Sequence, residues 1–314
     1  MRAIVMKEFG GPEVLRIEEV PDLEPRPAHQ LVRVVRAGVN YADVHARTDS
    51  YLAPVTLPYT PGNEVLGTTT DGRRLIGLTQ GGGYAEQAHL HRRASWEVPD
   101  DIDDDQAIAL ALQGQSAWHL LFTAAQLQPD QTVLIPAAGS GLGSIAVQLA
   151  KRAGARVIAL ASTELRRRLA RELGADAIID STADDLAERI VEAAGGPIHT
   201  ALEMTGGTVL RETIAALAPR GRLVLYGYAS GQTTDLPTRA LMEKSINVNT
   251  FWLPHLYADR TALPTSINAL FEAVRDGSLT PITGAIHPLT DAAEAHTTLA
   301  TRTHLGKLSL DAAH

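Results

Sequence analysis

The sequence contains no cysteine, which excludes disulfide bonds, a cysteine-ligated zinc and a thiolate nucleophile. Eleven histidines remain as candidate ligands or acids, but no HExxH or comparable spacing of metal ligands occurs among them. His89 and His91 lie two positions apart in a predicted strand, where a solvated strand edge explains them better than a metal site does. We therefore expect a protein that binds no metal.

The sequence also lacks an excess of basic residues and any long apolar stretch. The formal net charge is −8, which argues against nucleic acid as a partner. No segment reaches the apolar length of a membrane span, and the chain turns acidic at Glu8 before a signal-peptide core could form. We expect a cytoplasmic protein whose partners are small molecules, with neither nucleic acid nor a membrane among them.

The chain has 314 residues, more than one hydrophobic core usually serves, so we expect two domains. In the first hundred residues, glycine and proline interrupt short apolar runs at residues 3–6, 31–35, 75–78 and 84–90. This pattern predicts a mostly antiparallel β domain. The acidic run at residues 100–105 is typical of a charged helix N-terminus.

From residue 131 the pattern changes to apolar strands separated by amphipathic helices. Strands are predicted at residues 133–136, 156–161, 177–179, 198–204, 222–228 and 246–251. Two helices are predicted from apolar residues at helical spacing. These residues are Ile145, Leu149 and Ala153 in one helix and Leu165, Leu169 and Leu173 in the next. Continuous apolar strands of this kind predict a parallel, doubly wound α/β sheet covered on both faces. A helical pattern at residues 267–274 and a last strand at 308–310 are expected to return to the first domain.

The strongest chemical signal is the glycine-rich turn AAGSGLGS at residues 137–144, between a predicted strand and a predicted helix. Gly139, Gly141 and Gly143 permit a tight turn and close backbone approach, and the helix begins with free N–H groups that suit a diphosphate. Ser144 stands where a strict GxGxxG would have its last glycine, so the position of the turn carries the assignment. Residues 133–161 therefore predict a dinucleotide site.

The residues after the second strand of this unit favour NADPH over NADH. An Asp or Glu at the strand end would bind the ribose hydroxyls of NAD, but Ser162 and Thr163 follow this strand, with Arg166 close behind. Small hydroxyls and a guanidinium suit a 2′-phosphate. Two alternatives stay open: Ser162 or Thr163 caps the next helix, and the carboxylate of Glu164 keeps NADH possible.

Five segments carry a specific pattern in order and spacing: GVNYADVHAR (residues 38–47), PGNE (61–64) followed by Gly67, GGYAE (82–86), AAGSGLG (137–143) with Gln148, and GRLVLYG (221–227). Together they resemble the zinc-independent quinone oxidoreductases of the medium-chain dehydrogenase/reductase superfamily. The resemblance implies a GroES-like, mostly-β catalytic domain at residues 1–113 and 251–314 and a Rossmann domain with a doubly wound parallel sheet at residues 114–250. It also implies a cleft for nicotinamide and substrate between the domains, and a homodimer.

The same resemblance gives the missing cysteines a meaning, because zinc-dependent relatives bind their metal through Cys and His. Asn63 stands where those relatives have a ligand His. The resemblance thus implies hydride transfer that is assisted by hydrogen-bond donors instead of a Lewis acid.

For the cofactor, the resemblance assigns residues around the glycine turn and at the adenosine side. They are Ser140, Gly141, Leu142, Gly143, Ser162, Thr163, Arg166, Ser181 and Gly227. Arg166 falls where relatives usually have a Lys for the 2′-phosphate, which supports NADPH. Ser181 departs from the family pattern, since many relatives have a Tyr near the adenine at this position.

For catalysis, the resemblance points to Asn40 facing nicotinamide or substrate, with Tyr41 as a neighbouring substrate contact. His45 stands where quinone reductases tend to have Tyr, and a histidine can donate a hydrogen bond and titrates near neutrality. Tyr51 falls where related enoyl-thioester reductases have a catalytic Tyr, and Trp252 resembles part of their substrate-pocket strand. The alternatives are a loop tyrosine packed by prolines and ordinary interdomain core.

These observations predict an NADPH-dependent oxidoreductase that transfers a hydride to a quinone or an α,β-unsaturated carbonyl compound without zinc. One alternative is a reductase of enoyl thioesters on CoA or an acyl carrier. An alternative of another class is a non-catalytic NADP(H)-binding regulatory or structural protein, against which the intact glycine turn and Asn40 argue.

Overall fold

The computed structural model describes residues 1–229, 231 and 235–313, and these residues divide into two units. The first unit comprises residues 1–115, 256–275 and 281–314, and the second comprises residues 116–255 and 276–280. The division differs from the predicted boundaries by two residues at the first crossing and five at the second. Trp252, which the sequence analysis assigned to the catalytic domain, therefore lies in the second unit.

Strands outnumber helices in the first 115 residues. Their strands are β1 (Arg2–Val5), β2 (Arg16–Glu19), β3 (His29–Gly38), β4 (Glu64–Thr68), β5 (Arg74–Leu78), β6 (Gln87–His91) and β7 (Ser95–Glu97). Two helices accompany them, α1 (Tyr41–Arg47) and α2 (Asp104–Ala109), and a π-helical segment, Leu110–Gly114, continues α2. Asp103 caps α2 by accepting a hydrogen bond from the Gln106 N–H, as the acidic run predicted.

Strands and helices alternate in the middle of the chain. After α3 (Gln115–Trp118) and a π-helical segment, His119–Ala124, come β8 (Thr132–Ile135), α4 (Gly141–Arg152), β9 (Arg156–Ala161), α5 (Glu164–Glu172), β10 (Ala177–Asp180), α6 (Leu186–Ala194), β11 (Ile198–Glu203), α7 (Gly207–Ala216), β12 (Leu217–Leu225), α8 (Thr238–Glu243) and β13 (Asn247–Thr250). The chain ends with α9 (Ala262–Arg275), β14 (Thr283–Pro288), α10 (Ala292–Thr301) and β15 (Lys307–Asp311).

In the second unit, six parallel strands form one sheet in the order β10-β9-β8-β11-β12-β13. Strands β8 and β9 are buried almost throughout because helices cover both faces, which confirms the doubly wound fold. The predicted apolar face of α5 is partly wrong. Leu165 is exposed, and the buried positions of this helix are Arg166 and Ala170.

In the first unit, seven strands form a mostly antiparallel sheet with β14-β15-β3-β4-β5-β7 as its main path, and β6 also pairs with β3. Residues of β3, β4 and β15 fill its core, among them Val32, Val34, Val65 and Leu310. Because β15 pairs with β3, the end of the chain completes the sheet of the first domain, as predicted. Among the described residues no helix is both long enough and apolar enough to span a membrane.

Candidate functional site

The carboxyl edge of the second unit's sheet contains a topological switch point. From β8 the chain runs outward through β9 to β10, and it then returns to β11 on the other side of β8. Open α/β sheets bind ligands at such points, where the loops after neighbouring strands diverge. The glycine turn leaves the sheet here, because it connects the end of β8 to α4.

The backbone of this turn has little room for side chains. Ser140 caps α4 by accepting a hydrogen bond from the Gly143 N–H at 3.1 Å. A Cβ on Gly143 would collide with the Ala137 carbonyl oxygen, and one on Gly139 would lie 2.7 Å from the Arg166 side chain. Gly143 thus allows the helix to pack closely against the strand end, the usual task of a third glycine. A serine fits at position 144, because its hydroxyl donates to the Gly141 carbonyl oxygen within the helix.

The predicted adenosine-side residues lie at the ends of β9 and β10, which are neighbours in the sheet. Ser162 is exposed, and the Ser181 N–H donates to the Ala161 carbonyl oxygen at 3.3 Å. Thr163 caps α5 by accepting from the Arg166 N–H, so capping explains this threonine. Arg166 is buried, and its aliphatic carbons pack on Gly139, which joins the two predicted parts of the site.

Arg167, the neighbour of Arg166, already has acidic partners. Arg167 forms ion pairs with Asp180 at 2.7 Å and with Glu164 at 3.1 Å. The Glu164 carboxylate, which kept NADH possible, therefore already has a cationic partner.

On the other side of the switch point, a Cβ on Gly227 would lie 3.1 Å from Met204 Cβ, so Gly227 adjoins the end of β11. Leu142 is half-buried in the first turn of α4.

Trp252 lies among aromatic rings of the second unit. Its ring makes an edge-to-face contact with His255 at a centroid distance of 5.0 Å. The preceding residue, Phe251, stacks on His119 at 6.2 Å. The substrate role assigned to Trp252 stays a prediction.

The first unit carries a buried polar cluster around Asn40 at the N-terminus of α1. The Asn40 amide nitrogen donates to Glu64 Oε1 at 2.8 Å and to the Gly38 carbonyl oxygen at 3.3 Å. Its oxygen accepts from Lys307 Nζ at 2.8 Å and from Gln113 Nε2 at 3.3 Å. Every hydrogen-bonding position of this side chain is therefore engaged within the unit.

Glu64 and Lys307 form an ion pair whose side chains are 0% and 1% exposed. The second carboxylate oxygen of Glu64 accepts from the Leu112 N–H at 2.7 Å, within the π-helical segment. The sequence analysis quoted Glu64 only as part of a motif and did not consider Lys307 at all. A single lysine at the start of an apolar final strand was the available signal.

Asp43 organises the same region from inside α1. Its carboxylate accepts hydrogen bonds from four donors: the backbone N–H groups of Asn40 and Gly62, the Asn63 amide and the Tyr84 hydroxyl. Burial raises the pKa of Asp43 to about 6, although these hydrogen bonds and Lys307 act in the opposite direction. Its bonds to Gly62 and Asn63 tie α1 to the loop that precedes β4.

Asn63 also bears on metal binding, because the resemblance places it where zinc-dependent proteins of the superfamily have a ligand histidine. Its amide donates to Asp43 at 2.7 Å. Within residues 1–229, 231 and 235–313, no group of three or more His, Asp and Glu side chains is arranged to hold a metal ion.

The remaining predicted residues lie on or near α1. His45 Nδ1 is 3.0 Å from the Ser50 hydroxyl, and burial lowers the pKa of His45 below its ordinary value. Burial therefore favours the neutral form of the His45 ring over the charged one. The Tyr41 hydroxyl donates to the Leu299 carbonyl oxygen at 3.1 Å. Tyr51 is half-buried and lies near Tyr59 and Tyr257, and it contributes to the raised pKa of both hydroxyls after the larger effect of burial.

His296 extends the Asp43 cluster into α10. Its Nε2 is 3.1 Å from the Tyr84 hydroxyl, and the side chain is fully buried. Burial, followed by the nearby charge of Arg47, lowers the pKa of His296 to about 3. Folded His296 therefore stays neutral at pH values where an unfolded histidine takes up a proton.

We expect His296 to make the protein acid-sensitive. Between pH 6.5 and 3 the unfolded state binds more protons at this residue, so the free energy of unfolding falls as the pH falls. From pH 7 to pH 5 the loss is about 2 kcal/mol. Chemical denaturation of the wild type and of His296→Phe at both pH values measures it. The variant should lack this part of the loss, and an equal loss in both proteins would contradict the assignment. Asp43 titrates in both proteins, so its contribution cancels when the two losses are compared.

The two units together define a medium-chain dehydrogenase/reductase, since a mostly-β unit completed by the end of the chain accompanies a parallel sheet with a glycine turn at its switch point. A family model described as zinc-binding dehydrogenase matches residues 141–275. The quinone oxidoreductase of Pseudomonas aeruginosa is 31% identical in an alignment of 322 positions that covers 98% of this chain and 99% of the relative.

A 2-haloacrylate reductase of a Burkholderia species is 30% identical, and the match covers 99% of this chain and 98% of the relative. The quinone oxidoreductase of Thermus thermophilus, whose structure is also known in complex with NADPH, has a TM-score of 0.90. It is 32% identical, and the match covers 99% of this chain and 100% of that one. The chain belongs to the quinone oxidoreductase family of the medium-chain dehydrogenase/reductase superfamily. It is an oxidoreductase.

Proposed function

We propose that the protein is an NADPH-dependent reductase of quinones or α,β-unsaturated carbonyl compounds. The observation that carries the proposal is the glycine turn at the switch point between β8 and β11, with buried Arg166 packed on Gly139. The relatives named as a quinone oxidoreductase and a 2-haloacrylate reductase support these two substrate classes. Both classes are electron-poor acceptors of hydride.

The residues at the switch point fit NADPH. The N–H groups of Gly141 and Leu142, at the first two positions of α4, have no intrahelical partner and are the proposed donors to the diphosphate. Ser140 shapes the turn by capping the helix. We propose that Ser162, Thr163 and Arg166 hold the 2′-phosphate, with Ser181 and Gly227 beside the adenosine and nicotinamide parts. When bound, NADPH supplies the hydride.

Side chains of the first unit are proposed to stabilise the negative charge that develops on the substrate oxygen. Asn40, His45 and Tyr51 are the hydrogen-bond donors, with Tyr41 and Trp252 as substrate contacts. Burial lowers the pKa of His45 and so favours its neutral ring, which can still donate one hydrogen bond. We propose a reaction without zinc, because the ligand position is occupied by Asn63 and the chain has no cysteine.

The test is NADPH oxidation with 1,4-benzoquinone, an enone and crotonyl-CoA, each measured with and without a strong chelator. Turnover of the first two, unchanged by the chelator, is the expected result. Preference for crotonyl-CoA would instead identify an enoyl-thioester reductase, and loss of activity that zinc restores would overturn the metal-free mechanism. NADPH binding without turnover of any acceptor would favour a regulatory or structural protein.

We expect Arg166 to decide the preference for NADPH. Arg166→Met keeps the aliphatic packing on Gly139 but removes the charge, so NADPH should bind about 10- to 100-fold more weakly, the equivalent of one or two charge-assisted hydrogen bonds. Binding of NADH should change by less than about 3-fold. Fluorescence titration with both cofactors measures this, with Arg168→Met on the exposed face of α5 as the matched control. An equal loss for both cofactors would refute the 2′-phosphate role.

We also propose a homodimer. Strand β13 ends the second unit's sheet, so the side of Asn247–Thr250 away from β12 offers backbone groups that a second copy could pair with. Light scattering after size exclusion tests the proposal, and a monomer at micromolar concentration would reject it.

A further inference from the structure

The buried ion pair of Glu64 and Lys307 crosses one strand of the first unit's sheet. Glu64 begins β4, Lys307 begins β15, and both strands pair with β3, which lies between them. They meet at Gly38, the last residue of β3, where a Cβ would collide with the Glu64 carboxylate. A glycine at this position therefore leaves space for a charged pair that is almost entirely removed from solvent.

Both members of the pair bind Asn40 with shorter hydrogen bonds than its other partners do. Lys307 Nζ to Asn40 Oδ1 and Asn40 Nδ2 to Glu64 Oε1 each measure 2.8 Å. The contacts with the Gly38 carbonyl oxygen and with Gln113 Nε2 each measure 3.3 Å. The ion pair is therefore the dominant partner of this amide.

The chemistry of the pair permits only one orientation of the amide. An ammonium group has donors and no acceptor, and a carboxylate has acceptors and no donor. A reversed Asn40 would direct its NH2 group at the ammonium and its oxygen at the carboxylate. Both short hydrogen bonds would then become repulsive contacts in a buried environment, where water cannot compensate.

We propose that Lys307 and Glu64 are positioning residues that hold the Asn40 amide in its reactive orientation. One Nδ2 hydrogen is bound to Glu64. The other makes the longer contact to the Gly38 carbonyl oxygen, and it exchanges that contact for a developing oxyanion on the substrate. This inference rests on the proposed function, since it assigns the pair a task in the reductase reaction.

Stability alone is a weak reason to retain such a pair. Replacing a buried ion pair with apolar side chains of similar volume is often neutral or stabilising, because desolvation of both charges offsets their attraction. A pair that dictates the direction of a neighbouring amide does something that apolar side chains cannot do. The positioning role therefore accounts for the buried charges better than a purely structural role does.

The kinetic test is a cycle of Lys307→Met, Asn40→Ala and the double variant in the complete protein. Lys307→Met should lower kcat about 30-fold and Asn40→Ala about 100-fold, as for a lost oxyanion donor, with the KM for NADPH changed by less than about 3-fold. If Lys307 acts through Asn40, the double variant is no slower than Asn40→Ala. Losses that multiply to about 3,000-fold would refute the inference.

Two further variants separate positioning from stability. Leu310→Ala lies in the same strand and removes core packing without touching the pair, so it should lower the melting temperature but keep kcat below that temperature. Glu64→Gln combined with Lys307→Met leaves no unpaired buried charge and should melt above Lys307→Met. Its kcat should stay low, because the amide introduced at position 64 and the amide of Asn40 can reverse together. Recovery of kcat in this variant would overturn the inference.

A readout without turnover keeps the inference distinguishable from the proposed function. The chain has five asparagines, so selective 15N labelling yields few side-chain signals, and Asn40→Ala identifies the one of interest. The Asn40 Nδ2 signals should be shifted in the wild type and move toward ordinary amide values in Lys307→Met. An unchanged spectrum would contradict the positioning role, whereas failure of the wild type to reduce any acceptor would contradict only the reductase proposal.

Discussion

Gly143→Ala is expected to abolish useful cofactor binding, with NADPH held about 100-fold more weakly, the equivalent of about 3 kcal/mol of overpacking. The added methyl group would meet the Ala137 carbonyl and the Ala138 Cα, which are backbone atoms with no rotamer to change. The turn must therefore open, and the N–H groups of Gly141 and Leu142 would lose their common direction. Fluorescence titration with NADPH measures the loss.

Gly114→Ala is the matched control for this prediction. The same methyl group there would lie 3.2 Å from the end of the Leu270 side chain, which can move by rotation. We expect its affinity for NADPH to stay within about 2-fold of the wild type, a difference below about 1 kcal/mol. A Gly143→Ala variant that binds NADPH as tightly as the control would show that the turn does not hold the diphosphate.

Asp43→Ala is expected to destabilise the first unit by about 3 kcal/mol at pH 7. It leaves three donors without an acceptor, the N–H groups of Asn40 and Gly62 and the amide of Asn63, and each buried orphan costs roughly 1–3 kcal/mol. The Tyr84 hydroxyl can donate to His296 Nε2 instead, which lies 3.1 Å away. One effect opposes this loss. Because burial raises the pKa of Asp43 to about 6, keeping the carboxyl ionised at pH 7 costs about 3 kcal/mol, which the variant recovers. The orphaned donors outweigh that gain.

The pH dependence checks the same assignment with a defined sign. A raised pKa means that the folded state binds the proton more tightly, so the contribution of Asp43 falls as the pH rises from about 4 to 6. His296 imposes the opposite slope over the same range, so the test is a comparison between proteins. When the pH is raised from 4 to 6, urea denaturation should show a larger rise in the free energy of unfolding for Asp43→Ala than for the wild type or for exposed Asp100→Ala. Equal slopes in all three proteins would mean that Asp43 does not titrate there.

Local patterns were sufficient to predict the strand, glycine turn and helix of the second unit. The strand, glycine turn and helix at residues 133–161 are contiguous in the chain, and hydrophobic period and glycine content report on such units directly. The same reasoning assigned Leu165 to a buried face of α5, where Arg166 and Ala170 are buried instead. Apolar spacing does not reveal that an arginine stem will pack on a glycine turn about 27 residues earlier.

The sequence by itself determined the class of fold, the strand–glycine turn–helix unit and Asn40 as a residue of interest, because these depend on short-range order and on recognisable motifs. Only the tertiary structure decided what surrounds Asn40. Lys307 and Glu64 are separated by 243 positions, and they meet because β15 and β4 pair with opposite sides of β3. Strand pairing between distant segments leaves no periodic trace in either one, so the ion pair that orients the amide is visible only after the sheet has formed.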